Sequence, residues 1–249
     1  MSDLWRMAHD RSATFDAHAL AYDRYRPSYP AGLFDDIMAY GKLQPGMAVV
    51  EVGAGTGIAT GPLADRGLRV TAIEASPAMA AVAEEKLGSR VHIVVGRFED
   101  WPLTEQVQLV LACNAWHWVE PLAGIELAAK LLPSGGLLAL VWTEVVSWGE
   151  EPFEDRLTQE FGSLWPKRLE PVVGSVRPVA EDPRFANVDV RHHRFERTLD
   201  AQTYVAVTRT YGGAHSADRD RTIQRIIDED LGGTVTKVED AVLHLARRR

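Results

Sequence analysis

Short apolar runs alternate with longer amphipathic stretches from about residue 47 onward. Five of the runs have the length and β-branched content of buried strands: MAVVEVG, LRVTAIEAS, RVHIVVGRFE, VQLVLACN and GGLLALVWTEV. The stretches between them carry helix signals. One of these helices has Ser76 as its expected N-cap, Pro77 at its first position and Gly88 at its end. Alternation of this kind predicts an α/β protein whose parallel sheet carries helices on both faces.

The pattern changes after residue 145, where helical stretches and two long alternating segments follow. The predicted helices lie in EPFEDRLTQEFGSLW, AQTYVAVTRTYGG and ADRDRTIQRIIDEDLGG, and the predicted strands in NVDVRHHRFERTL and TVTKVEDAVLHLARR. We therefore predict one domain over residues 1–249. Its core at 46–145 lies between an N-terminal segment, 1–45, and a later part, 146–249, that covers the carboxyl end of the sheet.

Composition narrows the possible environments and partners. The chain has 249 residues, a net charge of −8 and a single cysteine, Cys113, so an intramolecular disulfide and a cysteine-based zinc site are excluded. The negative charge disfavours a nucleic-acid partner, and we expect the basic ending ARRR to be a solvated tail. No apolar run is long enough to span a bilayer, and the first thirty residues lack the apolar stretch of a signal peptide. We expect a cytoplasmic protein without a membrane partner.

The strongest local motif is VVEVGAGTG, residues 49–57, which follows the first predicted strand directly. Gly53, Gly55 and Gly57 permit positive φ and allow a ligand to approach the backbone, and the next helix directs its N–H groups at this loop. The second strand ends in Glu74, where an acid can bind ribose hydroxyls. A tight strand-to-helix turn without a ligand is the alternative interpretation.

The spacing of the glycines distinguishes two nucleotide cofactors. A dinucleotide fingerprint is G-x-G-x-x-G, but its third glycine position is occupied here by Ile58, which disfavours an NAD(P)-dependent oxidoreductase. The sequence reads E-x-G-x-G-x-G instead. This motif resembles the first motif of the class I S-adenosylmethionine-dependent methyltransferases. The wider pattern YDRYRPSYP … EVGAGTG … WHWVEP is similar to the small-molecule branch called methyltransferase type 11, which includes enzymes similar to trans-aconitate methyltransferase.

The resemblance implies a Rossmann-like, seven-stranded, mostly parallel sheet with an N-terminal lid and an inserted helical lid, and S-adenosylmethionine as the cofactor. It makes 1–45 the N-terminal lid, 46–145 the cofactor-binding core and 146–249 the acceptor side. An acid often follows the third-strand glycine in this family, but Arg97 stands there, so the adenine contact moves to the next two residues. The implied cofactor contacts are Tyr22, Arg26, Glu51, Gly53, Ala54, Gly55, Gly57, Glu74, Ala75, Met79, Phe98, Glu99, Asn114 and Ala115.

Acceptor contacts are implied at the end of the fourth strand and in the later helices. Trp116, His117 and Trp118 follow that strand, and Trp148 and Tyr211 belong to the later part. Aromatic walls exclude water and favour a sulfonium cation. His117 is the candidate catalytic residue, which orients the acceptor or takes its proton. Core packing for the indoles and a structural hydrogen bond for the imidazole remain open, as does a docked amphipathic helix for residues 15–30.

The predicted function is transfer of a methyl group from S-adenosylmethionine to a small-molecule acceptor by in-line displacement, without a metal. A carboxylate or a hydroxyl is the candidate accepting group, and the predicted oligomeric state is a monomer or a homodimer. A catalytically inactive, S-adenosylmethionine-binding regulatory protein is the alternative from a different class, and the oxidoreductase is a weaker one.

Overall fold

A seven-stranded sheet forms the centre of the molecule. The computed structural model describes residues 18–102, 105–162, 173–186, 188–210 and 216–249. The strands are β1 (Ala48–Val52), β2 (Arg69–Glu74), β3 (His92–Val95), β4 (Leu109–Cys113), β5 (Leu137–Ser147), β6 (Asp189–Asp200) and β7 (Thr234–Arg247). Each of them lies on a segment for which the apolar pattern predicts a strand, and β5 and β6 continue past the predicted ends by two residues and one residue.

The strand order is β3-β2-β1-β4-β5-β7-β6. The first five strands of this order pair in parallel, whereas β7 is antiparallel to both of its neighbours, β5 and β6. The predicted Rossmann-like, mostly parallel sheet is confirmed. The chain order reverses between β1 and β4, and ligands of open α/β sheets bind outside the carboxyl ends of the strands at such a point.

Helices cover both faces of this sheet. Their bounds are α1 (Ala19–Tyr25), α2 (Ala31–Gly41), α3 (Thr60–Asp65), α4 (Pro77–Leu87), α5 (Pro121–Leu131), α6 (Glu151–Phe161), α7 (Val173–Glu181), α8 (Ala201–Arg209) and α9 (Ala217–Arg225). Ser76 caps α4 as predicted, since its hydroxyl accepts a hydrogen bond from the Met79 N–H at 3.1 Å. Among these helices, none has the length and apolarity of a membrane-spanning segment.

The late strands extend past the carboxyl end of the parallel sheet. Cys113, the last residue of β4, pairs with Val141, but β5 continues to Ser147. This extension packs against α6, α8 and a π-helical turn at Ile226–Asp230, and together they form a separate apolar core. Trp148 is buried in that core, where its carbonyl accepts a hydrogen bond from the Tyr204 hydroxyl at 2.9 Å. The core is therefore built above the sheet edge that ligands approach.

A buried group of charges joins β6 and β7 to the N-terminal helix. Lys237 and Glu239 are both 0% exposed, and the Lys237 ammonium lies 2.7 Å from Glu239 Oε1. The Arg197 guanidinium binds Glu239 Oε2 at 2.7 Å and donates to the Tyr25 carbonyl at 3.4 Å. Burial lowers the pKa of Lys237 to about 8, although Glu239 favours the charged form. The carboxylate of Glu239 thus compensates one buried cation, Lys237, and one partly buried cation, Arg197.

The prediction of a solvated C-terminal tail is wrong. The Arg247 guanidinium binds the Tyr40 carbonyl, Arg248 Nε donates to the Ala129 carbonyl at 3.0 Å, and Arg249 Nε donates to the Phe185 carbonyl at 3.0 Å. Strand β7 continues to Arg247. A run of charged residues is usually solvated. Here the backbone carbonyls of neighbouring segments accept hydrogen bonds from the three guanidinium groups instead.

Glu239→Gln tests the buried charges. The amide removes the counter-charge of Lys237 and Arg197, and we expect the free energy of unfolding to fall by about 3–5 kcal/mol in urea titrations. Glu196→Gln is the matched control, because Glu196 is exposed on β6, and it should change that free energy by less than about 0.5 kcal/mol. An equal effect of the two substitutions would show that the buried carboxylate does not stabilise the fold.

Candidate functional site

The glycine loop between β1 and α3 is tied to the neighbouring strand. The N–H groups of Gly53 and Ala54 both donate to the Ile73 carbonyl, at 2.8 and 3.0 Å. Gly53 has φ +64°, and a Cβ there would lie 2.5 Å from the Ala115 Cβ, so glycine is required for the loop after β4 to approach. Gly55 has φ +57°, and among the described residues the one neighbour within 4 Å of its hypothetical Cβ is Met79 Sδ at 3.8 Å. Its backbone therefore faces open space.

Gly57 has a different role. A Cβ at this residue would lie 2.7 Å from Leu87 Cδ1, so glycine permits the loop to pack on α4. Gly57 lines neither of the two clefts described below. Its contribution in this structure is close packing beneath the loop.

The carboxylate of Glu74 holds the loop in place. Its Oε2 accepts the Gly55 N–H at 2.7 Å, and its Oε1 accepts the Ser76 N–H at 2.8 Å. Glu74 is 9% exposed and lies at the carboxyl end of β2. A carboxylate accepts about four hydrogen bonds, so these two orient the group without exhausting it.

A first cleft opens over the carboxyl ends of β1, β2 and β4. The predicted site residues in its wall are Tyr22, Gly53, Gly55, Glu74, Ala75, Met79, Phe98, Glu99, Asn114, Ala115 and Trp118. The residues that sequence reasoning did not assign to it are Val52, Ile73, Gly96, Arg97, Cys113 and Val119. Most of the wall is apolar, and Glu74, Arg97 and Glu99 supply the charges. The structure thus brings eleven predicted residues to one cavity.

A second cleft adjoins the first along the glycine loop. Its wall contains the predicted residues Tyr22, Arg26, Glu51, Gly53, Ala54, Gly55 and Asn114, together with Pro27, Ser28, Tyr29, Thr56, Ile58, Ala59, Cys113 and Thr143. The two clefts share the residues Tyr22, Gly53, Gly55, Cys113 and Asn114. An elongated ligand could therefore pass from one to the other along the backbone of the loop.

Two polar side chains of the second cleft are deeply buried. Glu51 is 1% exposed, and the Thr60 hydroxyl donates to its Oε2 at 2.6 Å. Burial raises the pKa of Glu51 to about 8; the Thr60 hydrogen bond opposes this rise, and the charge of Glu74 adds to it. The hydroxyl of Thr56 is fully buried and has no hydrogen-bond partner in the part of the chain that the structure describes. Such groups are normally satisfied, which favours a polar ligand here.

The end of β4 is fixed by a side-chain network. Asn114 has φ 52°, and its Oδ1 accepts the Thr143 N–H at 2.8 Å. Its Nδ2 donates to the Tyr29 hydroxyl at 2.8 Å and to Thr143 Oγ1 at 3.1 Å. Burial raises the pKa of the Tyr29 hydroxyl well above its usual range, and it does the same for the Cys113 thiol. Both groups therefore remain protonated at neutral pH.

Strand β4 ends at Cys113, and the Trp-His-Trp segment beyond it forms a single turn of 3-10 helix, Trp116–Trp118. Its side chains diverge. Trp116 is 2% exposed and packs in the core, with its ring 6.0 Å from that of Phe98. Trp118 is half-buried and lines the first cleft, whereas His117 lines neither cleft and places its ring 4.6 Å from the Trp118 ring.

The turn after β3 supplies one edge of the first cleft. Glu99 Oε1 accepts the Glu120 N–H at 2.8 Å and lies 3.3 Å from the Arg97 guanidinium. Phe98 is buried, although part of its ring reaches the cleft. Glu99 is therefore held by the segment that leads into α5, and Arg97 contributes a cation where the resemblance implies an acid.

The N-terminal helix α1 borders both clefts. Asp23 of α1 forms an ion pair with Lys86 of α4, and the Arg26 guanidinium donates to the Thr210 carbonyl at 2.9 Å. Tyr22 reaches both clefts from this helix. Trp148 packs in the core above the sheet and not in either cleft, and Tyr211 lies outside the described residues.

Three of the cleft residues that sequence reasoning did not assign come together at the end of β4: Tyr29, Cys113 and Thr143. Cys113 and Thr143 stand at or beyond the point where β4 ends, and Tyr29 belongs to the RPSYP segment that precedes α2. The proline pair around Tyr29 was a usable signal, because it fixes an extended chain against the site. Among the described residues, no group of His, Cys, Asp and Glu is arranged to hold a metal ion.

The chain is similar to known methyltransferases. The family model described as "Methyltransferase domain" matches residues 50–140. An uncharacterized methyltransferase of Mycobacterium bovis is 35% identical over 163 residues, 60% of this chain and 65% of the relative. One of Geobacillus kaustophilus is 30% identical over 155 residues, 58% of this chain and 71% of the relative. The chain thus spans less than two thirds of the length of the mycobacterial relative.

A solved structure shares the fold. The Haemonchus contortus phosphoethanolamine N-methyltransferase 2, in complex with phosphomonomethylethanolamine and S-adenosylhomocysteine, aligns with a TM-score of 0.58 at 15% identity. The alignment covers 98% of this chain and 60% of that protein. At this identity the likeness concerns the fold alone.

Glu51→Gln tests the buried acid of the second cleft. The carboxyl has a folded-state pKa of about 8, whereas the ordinary value is 4.5. Between these two pH values the carboxyl is protonated in the folded protein and ionised in the unfolded chain. The free energy of unfolding should therefore fall as pH rises through this window, and Gln should remove that part of the fall. Thermal melts from pH 5 to 9 measure it. Parallel curves for wild type and variant would contradict the raised pKa.

Proposed function

Because this chain belongs to the class I S-adenosylmethionine-dependent methyltransferases, we propose that it transfers a methyl group from S-adenosylmethionine to a small-molecule acceptor. The observation that carries this proposal is the pair of clefts that meet along the bare backbone of Gly53 and Gly55. When bound, the cofactor supplies a methyl carbon made electrophilic by its sulfonium. The chain's own residues have to bind the cofactor and the acceptor, orient them in line and exclude water, as an in-line displacement requires.

The first cleft fits the nucleoside portion of the cofactor. Glu74 presents an oriented carboxylate to ribose hydroxyls, and hydrogen bonds to a charged acceptor contribute about 1.5–3 kcal/mol each. Met79 and Phe98 supply apolar contacts for a base. Arg97 and Glu99 place a donor group and an acceptor group at its edge.

The second cleft fits the amino-acid portion. The buried Glu51 would be stabilised in its charged form by an ammonium group, because an opposite charge favours ionisation. Arg26 offers a guanidinium to a carboxylate, and the Thr56 hydroxyl gains the partner that it lacks among the described residues. The donor set therefore matches a zwitterion.

The acceptor should approach from the side of Trp118. This indole lines the first cleft next to Asn114, and Tyr22 closes the opposite side from α1. Aromatic faces exclude water and stabilise a cationic sulfur. We further propose that His117 positions Trp118 through the contact between their rings. The proposed accepting group is a carboxylate or a hydroxyl. The proposed location is the cytoplasm, and the proposed oligomeric state is a monomer or a homodimer.

Glu74→Ala tests cofactor binding. Loss of the ribose interaction should weaken S-adenosylmethionine binding by roughly ten- to a hundredfold in calorimetry. Glu85→Ala on the exposed face of α4 is the matched control and should leave binding unchanged. Wild-type protein that gives no heat and no melting-temperature increase with this cofactor would refute the proposed function.

Trp118→Ala and His117→Ala test the acceptor side in a labelled-methyl assay across a metabolite panel that includes di- and tricarboxylic acids. Both should lower kcat/KM about tenfold or more. Cofactor affinity should change little in His117→Ala, because His117 lines neither cleft, whereas Trp118→Ala should also weaken S-adenosylmethionine binding, because its indole lines the first cleft and faces the cationic sulfur. His92→Ala, an exposed histidine of β3, is the control. A positioning role for His117 predicts that the variant has a lower kcat/KM at every pH. If the rise of kcat/KM with pH that the wild type shows is lost in the variant, His117 is a general base instead.

A further inference from the structure

The hydroxyl of Tyr29 reaches the methyl-transfer region from outside the cofactor-binding core. Tyr29 lies between α1 and α2, and its ring packs edge-on against Phe34 with 6.3 Å between centroids. Pro30, which follows it, fixes the backbone at the start of α2. The ring is thus held by apolar packing, and the hydroxyl accepts a hydrogen bond from Asn114 Nδ2 at 2.8 Å and interacts with the Cys113 thiol.

The network leaves Asn114 one orientation. Its Oδ1 accepts the Thr143 N–H at 2.8 Å, so the NH2 group must face the Tyr29 hydroxyl and Thr143 Oγ1. The two acceptors use both N–H bonds of the amide. Asn114 also has φ 52°, a conformation that non-glycine residues adopt where their surroundings hold them there.

Asn114 stands where its orientation affects the reaction. It is one of the five residues shared by the two clefts, so a cofactor that occupies both must pass its sulfur beside it. Tyr29 belongs to the same N-terminal segment as Tyr22 and Arg26, which reach the clefts from above. One hydrogen bond therefore links this N-terminal segment to the wall that the two clefts share.

On the basis of the proposed function, we propose that Tyr29 is a positioning residue for methyl transfer: it acts through Asn114 to fix the direction of the donor methyl. Tyr29 contributes to the orientation of bound cofactor and little to its affinity. The hydroxyl is neutral in this role, and no proton is transferred.

Tyr29→Phe tests this with a probe of the methyl group itself. The variant keeps the ring packing and removes the acceptor of one Asn114 N–H. With S-adenosylmethionine labelled with 13C at the methyl carbon, the bound methyl resonance should shift or broaden relative to wild type. S-adenosylhomocysteine lacks the methyl group. Its Kd should stay within about threefold of the wild-type value, because Tyr29 acts through Asn114 and the substitution removes no direct contact with the cofactor.

Two further variants make the result decisive. Thr143→Val removes the other acceptor of the Asn114 amide, and it should perturb the same resonance, with an effect that is not additive with that of Tyr29→Phe. Tyr40→Phe is the matched control: Tyr40 lies on α2 between the guanidinium groups of Arg191 and Arg247, and its variant should give the wild-type resonance.

The outcomes separate the two proposals. An unchanged methyl resonance in Tyr29→Phe, with cofactor still bound, would overturn the role of Tyr29 and leave the methyltransferase assignment intact. Equal weakening of both cofactor forms by more than about tenfold would make Tyr29 a binding residue and would also overturn it. Failure of the wild type to bind either cofactor form would reject the proposed function and this inference together.

Discussion

The hydrogen bonds between the glycine loop and β2 fix the backbone along which the two clefts meet. Gly53, Ala54 and Gly55 direct three successive N–H groups at the end of β2, two to the Ile73 carbonyl and one to Glu74. A loop held in this way exposes a stretch of backbone without side chains, and Ala115 can approach within van der Waals distance. Glu74 thus orders the loop that it borders, and the same carboxylate faces the cleft.

Residues close in sequence and governed by local rules could be predicted. The glycine loop, Glu74 and the strand ends follow from the motif and from the order of parallel strands, and the structure places them around one cavity. The directions of the side chains of Trp116, His117 and Trp118 could not be predicted in this way. They depend on the end of β4 at Cys113 and on the single 3-10 turn that follows. A difference of one or two residues in where a strand or helix ends changes the direction in which such side chains point.

Contacts that join distant segments account for most of what the sequence did not reveal. Tyr29 meets Asn114 across 85 positions of the chain, and Arg197 meets Glu239 across 42. Neither pair has a spacing that marks it in advance. The buried Lys237 is the clearest case, since an amphipathic strand predicts a solvated lysine and the fold instead supplies a carboxylate and an indole face.

The placement of β7 between β5 and β6 has a consequence for the order of synthesis. As the chain leaves the ribosome, the parallel strands β1 to β5 emerge before residue 150, but β6 has no strand to pair with until residues 234–247 have followed. During that interval the outer edge of β5 presents unpaired backbone groups to other chains. Chaperone demand should therefore concentrate on a nascent species that has completed its parallel sheet and still awaits its last strand.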